Sequence, residues 1–140
     1  MDMMDIRQLT DTYAVSPMIG LEDLAQIKAL GFTDVINNRP DGEITPDVQT
    51  AAMQAAATAL GLSFHINPVI GGALTEENVR LQATAMAGAK GPVLAYCASG
   101  NRSSIVWALA HAGTASADDL ISTAAKFGYN LEHLRPALGG

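Results

Sequence analysis

A chain of 140 residues is the size of one domain, and 49% hydrophobic against 16% charged residues excludes a disordered polypeptide. Eight basic against 14 acidic residues leave a formal net charge of −6, which disfavours nucleic acid and anionic membrane as partners but allows a small anion at a local positive site. The single cysteine, Cys97, excludes a disulfide framework, and His65, His111 and His133 have no ligand-like spacing, so neither a metal nor a cofactor is expected.

In chain order, residues 6–10 and 12–16 read as two short strands around an Asp-Thr turn, expected to pair as an antiparallel hairpin at a sheet edge. Leu21, Leu24, Ile27 and Leu30 mark one face of a helix, and Gly31 supplies its left-handed stop. The β-branched run 33–37 is a buried strand. Thr45-Pro46-Asp47 then reads as a helix start, with Thr45 as N-cap and Pro46 at the first helical position, for an Ala-rich helix closing at Gly61. Residues 62–67 form a strand ended by Pro68. Thr75-Glu76-Glu77 caps a helix running to about Gly88, and 93–97 is a buried strand. A helix from about Arg102 to Gly113, one from Ser116 to Gly128 and a short one over 130–138 complete the chain.

Strands separated by helical crossovers lie parallel. The fold class expected is therefore α/β, a single domain over 1–140 whose mostly parallel central sheet carries helices on both faces. No apolar run approaches the ~18–20 residues of a membrane span. The start MDMMDIRQ lacks a basic n-region, so a cytoplasmic domain without a signal peptide is expected.

In a parallel sheet, ligands collect beyond the carboxyl ends of the strands. Three loops share that edge: NRPDGE (38–43), PVIGG (68–72) and CASGNRS (97–103). The last follows a buried strand and opens a helix, so backbone N–H groups of Ala98, Ser99, Gly100, Asn101 and Arg102 converge where an anion would sit, with the helix dipole behind them. The same field, reinforced by Arg102, favours a thiolate at Cys97. Gly100 lets the backbone approach closely, and Ser103 is placed to donate a hydrogen bond to the sulfur. A lone cysteine is otherwise commonly a small core hydrophobe; the coincidence of strand end, glycine loop, arginine and helix start is what favours chemistry here.

With INNRPDGE at 36–43, the segment AYCASGNRS at 95–103 resembles the phosphatase-like domain of the beta-lactamase-hydrolase-like family. The similarity runs from the MDIRQLT start to the helix after the loop. It implies a dual-specificity-phosphatase-like fold and a catalytic Cys97, in a family whose members occur beside or fused to sulfide-oxidising enzymes. Two features depart from a phosphatase. Cys97 to Arg102 is C-x4-R where the phosphatase signature is C-x5-R, and one residue fewer shortens the loop by roughly 3.3–3.6 Å. PVIGGALT stands where such enzymes carry a general-acid aspartate, and it has no carboxylate before Glu76. General-acid assistance is typically worth about 10²–10⁴-fold. Sulfur transfer needs no such acid and, in the rhodanese superfamily, goes with the shorter loop. A sulfurtransferase working through a Cys97 persulfide is therefore expected first, taking sulfur from a small anionic donor. Lacking a second cysteine, it would need an external thiol or cyanide as acceptor, and a sulfur-oxidising enzyme is an expected partner. The alternative is a phosphatase acting on a phosphoester through a phosphocysteine.

In the supporting loop, Asn37 or Asn38 is placed to brace the Cys97 loop, Arg39 to add positive charge, and Asp41 to serve as the nearest substitute acid. The same Asn-Arg-Pro-Asp-Gly string is also plain turn chemistry. His65, His111 and Trp107 are expected to pack rather than react, and Gly71-Gly72 is either a flexible loop or room for a substrate above Cys97.

Overall fold

The computed structural model describes residues 5–46, 49–71 and 73–139. Five strands, β1 (Arg7–Thr10), β2 (Tyr13–Ser16), β3 (Asp34–Asn37), β4 (Ser63–Ile66) and β5 (Val93–Tyr96), form one sheet in the order β1-β2-β5-β3-β4. β1 pairs antiparallel with β2, making the expected edge hairpin, and every other pairing is parallel. Helices α1 (Asp23–Ala29), α2 (Thr50–Ala59), α3 (Glu76–Gly88), α4 (Asn101–Ala110) and α5 (Ala117–Ala125) follow, and a 3₁₀ segment Glu132–Leu138 ends the fold.

The period-two alternation of the strands sorts these helices into two layers. Ala14, Val35, Leu94 and Tyr96 point to one face and pack against Leu24 and Ile27 of α1 and Met53 and Ala57 of α2. Tyr13, Val15, Ile36, Val93 and Ala95 point to the other, against Ala85 of α3, Trp107 and Ala108 of α4, and Leu120, Ile121 and Ala124 of α5. Both faces of the sheet are covered, as a central parallel sheet requires. Burying each Leu or Ile contributes about 1.5–3 kcal/mol. Cys97, one step beyond Ala95 and Tyr96, leaves β5 at its carboxyl end, fully buried.

Local sequence sets the boundaries. Thr75 caps α3 in a reciprocal capping box with Asn78, and the Ser116 hydroxyl accepts from the Asp119 N–H at the start of α5. The start of α2 differs from expectation. The helix begins at Thr50, with Gln49 at its N-cap, because Pro40 to Ile44 turns through a 3₁₀ segment, Asp41–Glu43, before the helix is reached. Of the expected start, Asp47 lies outside the described residues, as do Gly72 and residues 1–4. Among the described residues no helix is long and apolar enough to cross a membrane.

Candidate active site

β5 delivers Cys97 to the carboxyl edge of the sheet, and the chain crosses Ala98 and Ser99 before Gly100 starts α4. Gly100 has φ +93°, a left-handed conformation that reverses the chain within three residues of the sulfur. Its N–H donates to Cys97 Sγ at 3.1 Å. The carbonyls of the loop turn away from its concave side, because each finds a donor elsewhere. Ala98 O accepts from the Met18 N–H, Ser99 O from Tyr129 Oη at 2.8 Å, and Gly100 O from the N–H and hydroxyl of Ser104. Ser103 O accepts from Tyr13 Oη at 2.9 Å. Burial pushes both phenols above their ordinary value of 10, so both are protonated donors at neutral pH. The N–H groups of Ala98, Ser99, Arg102 and Ser103 have no acceptor among the described residues. Such a run of free N–H groups at a helix start is the geometry that holds an oxyanion.

Arg102 completes the cradle, and its donors can be counted. A guanidinium carries five N–H groups. Nη1 donates to Glu43 Oε2 at 2.9 Å and to Val69 O at 2.8 Å, and Nη2 donates to Glu43 Oε1 at 2.8 Å. The other two, Nε–H and one Nη2–H, form a side-on fork with no hydrogen-bond acceptor among the described residues, and the nearby Cys97 acts on the guanidinium electrostatically. Glu43 thus grips the outer edge of Arg102 and leaves the inner edge for an anion over the cysteine. Arg39 stiffens this arrangement, with Nε on Glu43 Oε1 and Nη2 on Glu43 O, both at 3.2 Å. The Arg102 hydrogen bonds hold the Glu43 carboxyl below its ordinary value, which keeps it ionised and unfit to donate a proton.

The three loops singled out in the sequence do meet: Arg102 bridges 97–103 to Glu43 and Val69, and the Val69 N–H donates to Asn38 O. Individual roles differ from expectation. The Ser103 hydroxyl donates not to the sulfur but to Asn38 Oδ1 at 2.9 Å, and the Gly100 N–H takes the place at Sγ. Asn38 is fully buried and braces the Cys97 loop from behind, through Ser103 and through its own N–H to Tyr96 O. Asn37 instead holds the turn, its Oδ1 accepting from the Arg39 N–H. The Asp41 carboxylate accepts from the N–H and hydroxyl of Thr50, both at 2.8 Å, so it caps α2 from the preceding turn. Asn101 is exposed at the start of α4, its N–H on Ser99 Oγ. His65 pairs with Asp34 at 2.7 Å, and Trp107 stacks on Tyr13; His111 packs on Trp107.

Sequence reasoning missed Glu43, Tyr13, Tyr129 and Gln82. Of these only Gln82 left a signal, a glutamine three residues from Val79 and from Ala85 on the inner stripe of α3, where an apolar residue belongs.

The comparisons with known proteins agree with this geometry. Residues 5–114 match the family described as "Beta-lactamase hydrolase-like protein, phosphatase-like domain". A beta-lactamase hydrolase-like protein of Agrobacterium fabrum is 38% identical over 101 residues, 72% of this chain and 23% of the relative. The chain spans about a quarter of the length of the curated relatives it matches. A candidate phosphatase from Neisseria meningitidis, nma1982, superposes with a TM-score of 0.82 at 32% identity over 97% of each chain. A kinase associated phosphatase, solved with its catalytic-site cysteine replaced by serine, shares the fold at a TM-score of 0.71, with 16% identity over 90% of this chain and 83% of the other. The fold is that of the cysteine-based phosphatases, and the chain belongs to the phosphatase-like domain family of the beta-lactamase hydrolase-like proteins.

Proposed function

We propose that the chain is a phosphomonoesterase that works through a Cys97 phosphocysteine. The observation that carries this is the donor set of the loop around the sulfur: the Nε–H and one Nη2–H of Arg102 and the N–H groups of residues 98, 99, 102 and 103 have no acceptor among the described residues and are available to an anion. Those donors suit the equatorial oxygens of a phosphoryl group in transfer, whose stabilisation is mostly positioning and electrostatics. The Cys97 thiolate forms the S–P bond as the P–O bond breaks, and the leaving oxygen departs with the electron pair and takes its proton from solvent water. Water then attacks phosphorus, and inorganic phosphate leaves as the thiolate is regenerated. Glu43 contributes by orienting Arg102, not by moving a proton. The family and its structural relatives favour this chemistry over sulfur transfer.

A second function is favoured by one specific feature, the C-x4-R spacing. In sulfur transfer Cys97 would attack the sulfane sulfur of thiosulfate, forming an S–S bond as sulfite departs, and an external thiol or cyanide would then take the sulfur. Intact-mass analysis separates the two. The protein, with Cys97→Ser as control, is quenched in acid during turnover of an aryl phosphate and, separately, after thiosulfate. A phosphoryl adduct on Cys97 is expected. One added sulfur from thiosulfate, removed by cyanide, with no phosphoryl adduct and no Cys97-dependent phosphate release, would replace the phosphatase by the sulfurtransferase.

A further inference from the structure

Beneath the Cys97 loop lies a cluster of uncharged polar side chains, Tyr13, Asn38, Asn67, Gln82 and Ser103, all buried. Gln82 is its hub. Its Nε2 donates to Tyr13 Oη at 2.9 Å and to Asn38 Oδ1 at 3.2 Å, and its Oε1 accepts from Asn38 Nδ2 and Asn67 Nδ2, both at 2.9 Å. Asn38 Nδ2 also donates to Asn67 O, so each of the two facing amides has both of its N–H groups donated and two bonds on its oxygen. That saturation fixes the amide orientations, since flipping Gln82 would set donors against donors. Asn38 Oδ1 must therefore accept, and the Ser103 proton must point to it.

Two of the cluster's bonds end on one residue of the anion loop. Ser103, directly after Arg102, is held at its carbonyl by Tyr13 and at its hydroxyl by Asn38, and Gln82 holds both of those. Four places in the chain, β2, the ends of β3 and β4, and α3, are thereby tied to the start of α4. Stability alone does not call for this, because replacing both partners of a buried hydrogen bond by apolar groups of the same shape is close to neutral. A polar residue that breaks the apolar stripe of a helix is the kind of local violation found at functional sites. We infer that Gln82 is a positioning residue for the oxyanion loop, anchoring Ser103, which carries a free N–H directly after Arg102, through Tyr13 and Asn38. The inference deepens the proposed phosphatase function and rests on it.

The test reads oxyanion binding directly. Inorganic phosphate is titrated into wild type, Gln82→Met, Tyr13→Phe and the double variant, with dissociation constants taken from the amide NMR shifts of residues 98–103. Methionine keeps the length of glutamine and removes all four bonds. Wild type is expected to bind, Q82M about tenfold more weakly, Y13F also more weakly, and the double variant no worse than Q82M, because both act through one network. Q82M that melts lower yet binds phosphate like wild type would show a merely structural glutamine and overturn the inference alone. Wild type that shows no phosphate-dependent shifts would overturn the oxyanion site and this inference with it. Should Q82M not fold, Y13F decides, and an unchanged dissociation constant there overturns the inference.

Discussion

Gly100→Ala tests the loop at its tightest point. A Cβ at Gly100 would collide with Tyr129 Oη and lie 3.0 Å from its Cζ, with the Ser16 carbonyl carbon at 3.5 Å on the other side. Alanine at φ +93° costs about 1–2 kcal/mol before any contact is counted. Moving the Tyr129 hydroxyl breaks its 2.8 Å bond to Ser99 O, about 0.5–1.5 kcal/mol. The ring cannot retreat freely, because Tyr129 is buried and the Arg7 guanidinium lies 5.1 Å from its centroid. Overpacking of this kind adds about 1–3 kcal/mol. The total, about 2.5–6.5 kcal/mol, corresponds to a drop in Tm on the order of 10–25 °C for a domain of this size. Thermal unfolding followed by circular dichroism measures it. Tyr129→Phe removes the colliding oxygen, so in the G100A background it should recover part of the loss, whereas in wild type it lowers stability by about 1 kcal/mol. G100A melting within about 2 °C of wild type, or a Y129F cost that is the same in both backgrounds, would refute the close approach.

Arg102→Lys keeps the charge but loses both forks, the one on Glu43 and the one toward Cys97, and should lower kcat/KM for an aryl phosphate by about 10²-fold with the fold intact. Glu43→Gln should reduce kcat/KM by about tenfold, since the Arg102 fork then rests on a neutral acceptor. The Glu43 carboxyl is depressed below its ordinary 4.5 in the folded state, so its pairing with Arg102 is intact above that value and is lost as pH falls through the lowered one. The stability difference between wild type and E43Q, followed by denaturant titration, should accordingly be constant near neutrality and shrink on acidification below pH 4.5. Asp41→Ala should cost about 1 kcal/mol of stability as a lost helix cap and leave kcat within a few-fold; a kcat loss above about 10²-fold with unchanged stability would make Asp41 the general acid instead.

The sheet and its functional edge were legible because they depend on patterns that sequence displays directly. Short β-branched and buried apolar runs marked the strands, Gly31 and Gly61 stopped helices, and Thr75 began one. The Cys97 loop was legible for the same reason: strand end, glycine and arginine lie together in nine residues. Where expectation failed, the deciding contact joined residues far apart. Thr45-Pro46 has good capping chemistry, but the cap of α2 comes from Asp41, nine residues before Thr50, and only the turn at 41–43 makes that reach. The Ser103 hydroxyl had two acceptors in principle, and Asn38, 65 residues earlier, won it. Glu43 reads in sequence as one more polar turn residue, and its bond to Arg102 spans 59 positions.

A chain with net charge −6 binding an anion needs a local source of positive potential, and most of it here is backbone. Arg39 and Arg102 share the single Glu43 carboxylate, so the side chains of that trio sum to only +1. The rest comes from peptide dipoles, and peptide dipoles are useful only when their carbonyl ends are turned away. Because N–H and C=O of one peptide unit point in opposite directions, fixing a carbonyl fixes the N–H of the next residue: Ala98 O sets the free Ser99 N–H, and Ser99 O sets the Gly100 N–H that reaches Cys97 Sγ. Tyr129 takes Ser99 O, Tyr13 takes Ser103 O, Met18 takes Ala98 O and Ser104 takes Gly100 O. Tyr129 is therefore as much a part of the anion site as the arginine, although it does not face the anion, whereas Tyr13 anchors Ser103 itself, whose carbonyl shares its peptide with the Ser104 N–H bonded to Gly100 O. The arrangement also explains why Gly100 must be glycine: the chain reverses there, and the nearest atom is the hydroxyl that holds the Ser99 carbonyl out of the site. Preorganisation of this sort costs nothing at the moment of reaction, which is what makes fixed backbone donors effective against charge that develops in a transition state.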